Sequence, residues 1–142
     1  EITGSGKLEG GDLVWIDRYT LLAGIGYRTN LEGVRQLGEL AGGDVEILWF
    51  DMPHYKGRSD VFHLMSCLSP LDYDLAVVYP PLMAARQIAF LESRGIKFVE
   101  GNPETERRMR AAGVEVEVIK GYDICRKGEG GPTCMTRPLV RL

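Results

Sequence analysis

Leu13-Val14-Trp15-Ile16-Asp17-Arg18-Tyr19-Thr20-Leu21-Leu22-Ala23-Gly24 sets two β-prone stretches, Leu13 to Ile16 and Tyr19 to Gly24, on either side of an Asp17-Arg18 pair that can turn. The pattern predicts a β-hairpin. Beyond it, Leu31, Val34, Leu37 and Leu40 recur at helical spacing, with Asn30 in front as a cap and Gly42-Gly43 behind as a stop, so a helix is expected there. Val45 to Phe50 then reads as a strand. The opening unit is therefore strand, strand, helix, strand.

The same order recurs. Val61 to Leu68 and Leu75 to Tyr79 read as strands around Pro70-Leu71-Asp72, followed by a helix from about Pro81 to Arg94, a stop at Gly95 and a strand from Ile96 to Val99. Ile16-Asp17 corresponds to Leu71-Asp72, an internal repeat with an offset of 55 residues. A shorter third unit follows: Pro103 opens a polar helix through Glu104 to Ala112, Gly113 stops it, and Val114-Glu115-Val116-Glu117-Val118 alternates as a half-buried strand does. A polar loop, Arg126 to Gly131, leads into a last expected strand, Cys134 to Val140. The fold class read from this order is α/β, built of repeated units in one domain.

Composition narrows the function. A chain of 142 residues that is 44% hydrophobic and 26% charged has the means to bury a core and is not disordered. A formal charge of -3, a pI near 5.4 and no Lys/Arg cluster longer than Arg107-Arg108 argue against nucleic acid and anionic membranes as partners. No apolar run approaches the roughly 20 residues that cross a bilayer, and no basic-then-apolar leader pattern opens the chain, so a soluble cytoplasmic protein with a small-molecule partner is expected. Three cysteines, Cys67, Cys125 and Cys134, form no disulfide framework and read as free thiols.

Of these, Cys134 stands out. A lone cysteine is most simply a small buried hydrophobe, but Gly130-Gly131-Pro132 immediately before it allows close approach of a ligand to the backbone, which a structural cysteine would not need. Upstream lie an imidazole, His63 in Phe62-His63-Leu64-Met65-Ser66, and a carboxylate, Glu9 in Leu8-Glu9-Gly10-Gly11-Asp12. On an alternating strand His63 would face away from the Phe62 and Leu64 side. Glu9 and Asp12, beside paired glycines, suit binding a guanidinium or orienting a histidine, and Arg28 suits clamping a substrate carboxylate. Thiol, base and acid together point to covalent catalysis. Gly4-Ser5-Gly6-Lys7 lacks the spacing and preceding strand of a phosphate loop, and His63 with Cys67 lacks the partners of a metal site. His54 reads as a solvated loop histidine.

Leu8-Glu9-Gly10-Gly11-Asp12-Leu13 with Arg28-Thr29-Asn30, Phe62-His63-Leu64-Met65-Ser66, and Gly130-Gly131-Pro132-Thr133-Cys134-Met135-Thr136-Arg137-Pro138-Leu139, in that order, resemble the guanidine-modifying superfamily of dimethylarginine dimethylaminohydrolase, arginine deiminase and the amidinotransferases. The resemblance implies a pentein fold, a β/α-propeller of ββαβ modules, of which residues 1–142 would be a single domain forming the C-terminal catalytic part, completed by a separate N-terminal half or by a homo-oligomer. It also implies roles: Cys134 as nucleophile, His63 as general acid and base, Glu9 as the partner of the histidine, and Arg28, Asp12 and Gly131 around the substrate. The implied reaction is hydrolysis of a guanidino compound through a covalent thiouronium, with no metal or organic cofactor. Arginine deiminases and amidinotransferases carry an aspartate two residues after the histidine. Here Met65 stands there, as in the dimethylargininase type, which favours an N-methylated arginine over free arginine and over amidino transfer. A non-catalytic pentein module that binds through a propeller face is the alternative of a different class.

Overall fold

The computed structural model describes residues 1–60, 62–100 and 104–116. The hairpin forms as expected: β1 (Leu13–Trp15) runs antiparallel to β2 (Thr20–Ile25), and β2 runs parallel to β3 (Glu46–Asp51). Between β2 and β3 lies α1 (Leu31–Ala41). Asn30 caps it by accepting the Gly33 N–H at 2.9 Å, and the chain leaves it through Gly42 at φ +81°, a conformation that costs a glycine little. Central strand β2 is buried along nearly its whole length, which is why Leu21-Leu22-Ala23 reads as a continuous apolar run rather than an alternation.

The second unit copies the first. Strands β4 (Leu68–Asp72), β5 (Leu75–Val78) and β6 (Lys97–Glu100) form another three-stranded sheet in the order β4-β5-β6, antiparallel then parallel, with α2 (Ala85–Ser93) as the crossover. Register repeats as well as order. Leu13 pairs with Ala23 and Leu68 with Val78, Trp15 with Leu21 and Pro70 with Ala76, each partner 55 residues beyond its counterpart. A short 3-10 turn precedes the first strand of each unit, Gly10–Asp12 in one and Leu64–Ser66 in the other.

Four expectations need correction. The strand expected over Val61 to Leu68 begins only at Leu68; Leu64 and Met65 before it lie in the Leu64–Ser66 turn. Two backbone donors that a ladder would require are used there by side chains: His63 N–H reaches Ser66 Oγ at 3.3 Å, and Leu64 N–H reaches Asp12 Oδ1 at 3.2 Å. Pro70-Leu71-Asp72 lies inside β4 rather than turning the hairpin, because β4 is an outer strand of its sheet, where a missing N–H is tolerated. Residues 114–116, expected to start a strand, follow α3 (Thr105–Ala111) without pairing; among the described residues no strand lies alongside them. The helix expected from Pro81 starts as a 3-10 turn at Pro80–Leu82 and becomes α-helical at Ala85.

One core joins the two units. Val14, Leu22 and Phe50 from the first pack with Leu64, Leu68, Ala76, Val78 and Leu91 from the second. Arg94, just past α2, reaches back to Asp17 Oδ2 at 2.8 Å and Thr20 Oγ1 at 2.5 Å, fastening the second unit to the first hairpin. Among the described residues no helix is long and apolar enough to cross a membrane.

Candidate active site

The two 3-10 turns meet, and the candidate residues lie where they do. Glu9 immediately precedes the first turn and His63 immediately precedes the second, so the internal repeat brings a carboxylate and an imidazole from equivalent places in two units. His63 Nε2 lies 2.7 Å from Glu9 Oε2 across 54 residues of sequence. The His63 ring also fills the space over Gly11: a Cβ there would sit 2.6 Å from His63 Cγ, so only glycine lets the ring come this close. This contact explains one of the paired glycines in Glu9-Gly10-Gly11-Asp12.

Glu9 is held from its own backbone. The segment before it lies along the start of α1: Lys7 N–H donates to Asn30 Oδ1 at 2.9 Å, Asn30 N–H to Lys7 O at 3.0 Å, and Glu9 N–H to Thr29 Oγ1 at 3.0 Å. A Cβ on Gly33 would come within 2.1 Å of Lys7 O, so this close lacing requires glycine in the first turn of the helix.

The electrostatics follow from one oxygen. Glu9 Oε2 accepts both from Arg28 Nε at 2.6 Å and from the His63 ring. The Arg28 hydrogen bond, reinforced by that of His63 and opposed by partial burial, holds the Glu9 carboxyl below its ordinary range. Glu9 is thus a carboxylate at neutral pH and can only accept, which puts the proton of a neutral imidazole on Nε2 and leaves Nδ1 with the lone pair. A histidine fixed in one tautomer by a carboxylate can accept a proton and keep the resulting imidazolium stabilised.

Asp12 is 2% exposed. Its Oδ2 accepts from Thr29 Oγ1 at 2.7 Å and its Oδ1 from Leu64 N–H. Burial pushes its carboxyl up from the ordinary value, against the pull of those two hydrogen bonds. Thr29, wholly buried, was assigned no role in the sequence; its only signal is its place between a candidate clamp and a helix cap.

Arg28, with about a third of its side chain exposed, also lines a cleft of about 300 Å³ formed with Tyr27, Met52, His54, Tyr55 and Phe62. His54, expected to be a solvated loop residue, is exposed but accepts or donates a hydrogen bond with Tyr27 Oη at 2.7 Å. Cys67 is buried, donates to Leu64 O, and has its thiol pushed up to about 12 by burial and by Asp12 nearby. Cys134 and Gly131, like Cys125 and the expected strand from Cys134 to Val140, lie outside the described residues.

Residues 1–100 match a family model described as arginine deiminase. An arginine deiminase of Mycoplasma capricolum is 25% identical over an alignment that covers 94% of this chain and 47% of the relative. An uncharacterized protein of Caenorhabditis elegans is 33% identical over 51% of the chain and 24% of its own length. The chain therefore spans about half, or less, of the relatives it matches. Among solved structures, a Cys-to-Ser mutant of DDAH from Pseudomonas aeruginosa complexed with citrulline superposes with a TM-score of 0.53 at 22% identity, covering 75% of this chain and 37% of that one. That likeness shows a shared mixed α/β fold.

Proposed function

This chain belongs to the arginine deiminase family, and from that premise we propose that it carries the catalytic residues of a cysteine-dependent hydrolase of guanidino compounds, acting on an N-methylated arginine to give citrulline and an alkylamine. The observation that carries the reading is the hydrogen bond between Glu9 and His63, two residues remote in sequence, which suits an imidazole that exchanges a proton through its other nitrogen. The propeller of repeated modules belongs to the same proposal; the duplicated register of the two sheets supports it.

In this reading the Cys134 thiolate attacks the guanidinium carbon to form a C–S bond. The C–N bond to the substituted nitrogen breaks, and His63 gives its proton to the departing amine. Water then loses a proton to His63 and adds to the thiouronium carbon; collapse expels the Cys134 thiolate and leaves the ureido group of citrulline. Glu9, ionised throughout, stabilises the imidazolium that gives its proton to the amine and that forms again when water is deprotonated; His63 is neutral in between. Substrate charge assists at the start, because a guanidinium beside the sulfur favours the thiolate over a thiol with an unperturbed pKa near 8.5. Arg28 contributes Nε to Glu9, and its terminal nitrogens carry four further N–H donors in a planar fork suited to a substrate carboxylate. Met65, partly buried against the core, stands where the deiminase and amidinotransferase pattern has an aspartate, which removes a contact to an unsubstituted guanidinium nitrogen.

The intact protein incubated with asymmetric dimethylarginine is expected to yield citrulline and dimethylamine. Replacing Cys134 by Ser should abolish turnover, and His63→Ala should lower kcat by about 10²- to 10⁴-fold, the usual contribution of a positioned proton-transfer group. Turnover of free arginine with none of the methylated compound would overturn the substrate assignment. Absence of product from every guanidino compound tried would overturn the enzymatic reading altogether.

A further inference from the structure

We propose that Thr29 and Asp12 form a buried positioning relay that sets the distance between Glu9 and His63, and that neither touches substrate. The inference rests on the reading of Glu9 and His63 as catalytic partners and assigns what holds them together.

The relay is continuous. Glu9 N–H donates to Thr29 Oγ1 at 3.0 Å, the Thr29 hydroxyl donates to Asp12 Oδ2 at 2.7 Å, and Asp12 Oδ1 accepts the N–H of Leu64, the residue after His63, at 3.2 Å. One end fixes the backbone of the carboxylate; the other fixes the backbone beside the imidazole. Both linking side chains are closed off from solvent, Thr29 at 0% and Asp12 at 2% exposure, so a ligand in the open cleft would not reach them.

The chemistry of each position is constrained. Thr29 Oγ1 must accept from an amide and donate to a carboxylate at once, which a hydroxyl does and a methyl cannot. Asp12 must accept twice, from a hydroxyl and an amide. A valine at 29 would keep the volume but orphan the Glu9 N–H and one Asp12 oxygen, while a serine would keep both hydrogen bonds. The side chains of Glu9 and His63 meet only if the turns that precede β1 and β4 are held at one separation; the Asp12 Oδ1–Leu64 N–H bond crosses between the turns, and Thr29 fixes Asp12 against the Glu9 backbone. The arrangement also accounts for the first aspartate position in the repeat. The residue 55 positions beyond Asp12 is Cys67, equally buried but unable to bridge two turns as a double acceptor.

The test is made on the intact protein with Thr29→Val, Thr29→Ser and, as a destabilised control in α2 outside the hydrogen-bonded chain, Leu91→Ala. Thr29→Val is expected to lower kcat by about 10- to 100-fold, as displacement of a catalytic pair by an ångström does. KM should change less than twofold, because no ligand contact is lost, and Thr29→Ser should return kcat to within about threefold of the parent. Leu91→Ala should lower the thermal midpoint and leave kcat at 25 °C unchanged. In parallel, the ring ¹⁵N resonances of His63 in the unliganded protein should shift in Thr29→Val and stay in place in Thr29→Ser and Leu91→Ala. An unshifted His63 spectrum in Thr29→Val, a kcat loss not rescued by serine, or a loss matched by Leu91→Ala would each overturn the relay. If no guanidino compound is turned over at all, the function fails, but the imidazole spectrum still decides the relay.

Discussion

A methyl group does not fit between Gly11 and the His63 ring, where it would lie 2.6 Å from Cγ and 2.7 Å from Nδ1. Gly11→Ala must therefore push the imidazole away from Glu9, and kcat is expected to fall by about 100-fold, as for other displacements of this size. Overpacking should also cost about 1–3 kcal/mol in denaturant unfolding. A variant with full activity would show that the ring has room to move without consequence. Cys67 makes the opposite case, a reactive group made inert by its place. With its thiol pushed up to about 12 and its Sγ given to Leu64 O, it should resist iodoacetamide at pH 8 in the folded protein and react at an ordinary rate in urea, as mass spectrometry of the alkylated peptide can report. Sequence context singled out Glu9, His63 and Arg28 as candidates because their residue types suit one chemistry, and the fold brings the three side chains together. It did not find Thr29, since a buried threonine has no distinguishing neighbours until the partner carboxylate is in place.

Elements whose causes are local were legible. The first hairpin and α1 with its Asn30 cap and Gly42 exit follow from patterns within a few residues, and the 55-residue repeat follows from the recurrence of such elements, an offset that the paired registers reproduce. Replacing Asn30 by Ala removes the acceptor for Gly33 N–H and for Lys7 N–H together. A loss of about 0.5–2 kcal/mol is expected from the cap alone, with the upper end favoured because the Lys7 tie is lost too. Because that tie leads directly to Glu9, activity should fall with it, while Asn30→Asp should restore both; a stability loss without an effect on turnover would uncouple the cap from the site. The turn at Leu64–Ser66 was illegible because a carboxylate 52 residues away organises it. Apolar residues at 61–68 carry the same alternation in a strand and in a turn whose side chains enter the core. Pro70 misled for a related reason: whether proline breaks a strand depends on whether that strand is an outer one, which is a property of the sheet.

For the whole molecule, two acids at the junction of the units respond to pH in opposite directions. Glu9 has its folded pKa lowered, chiefly by Arg28, from an unfolded value near 4.5, so its contribution is complete above that value and is lost as pH falls through the folded one. Asp12 has its folded pKa raised by burial from an unfolded value near 3.8, so the fold favours its protonated form; that contribution is complete below 3.8 and disappears as pH rises through the raised value. Unfolding free energy measured from pH 3 to pH 7 should therefore lose an acid-side slope in Glu9→Gln, flattening the curve below about pH 4.5. In Asp12→Asn the difference from the parent should grow in the mutant's favour as pH rises above 3.8, offset by a constant penalty from the weakened tie to Thr29. The sign separates the two variants even if their magnitudes are small, because Glu9 is only partly buried and solvent screens its ion pair. Parallel curves for both variants and the parent would mean that neither carboxyl is perturbed by folding, and the electrostatic account of the junction would be wrong. Divergence in the expected directions would instead tie acid stability to the same two turns that bring Glu9 to His63, so that as pH falls below about 4.5 the Glu9 contribution weakens while that of protonated Asp12 reaches its full value.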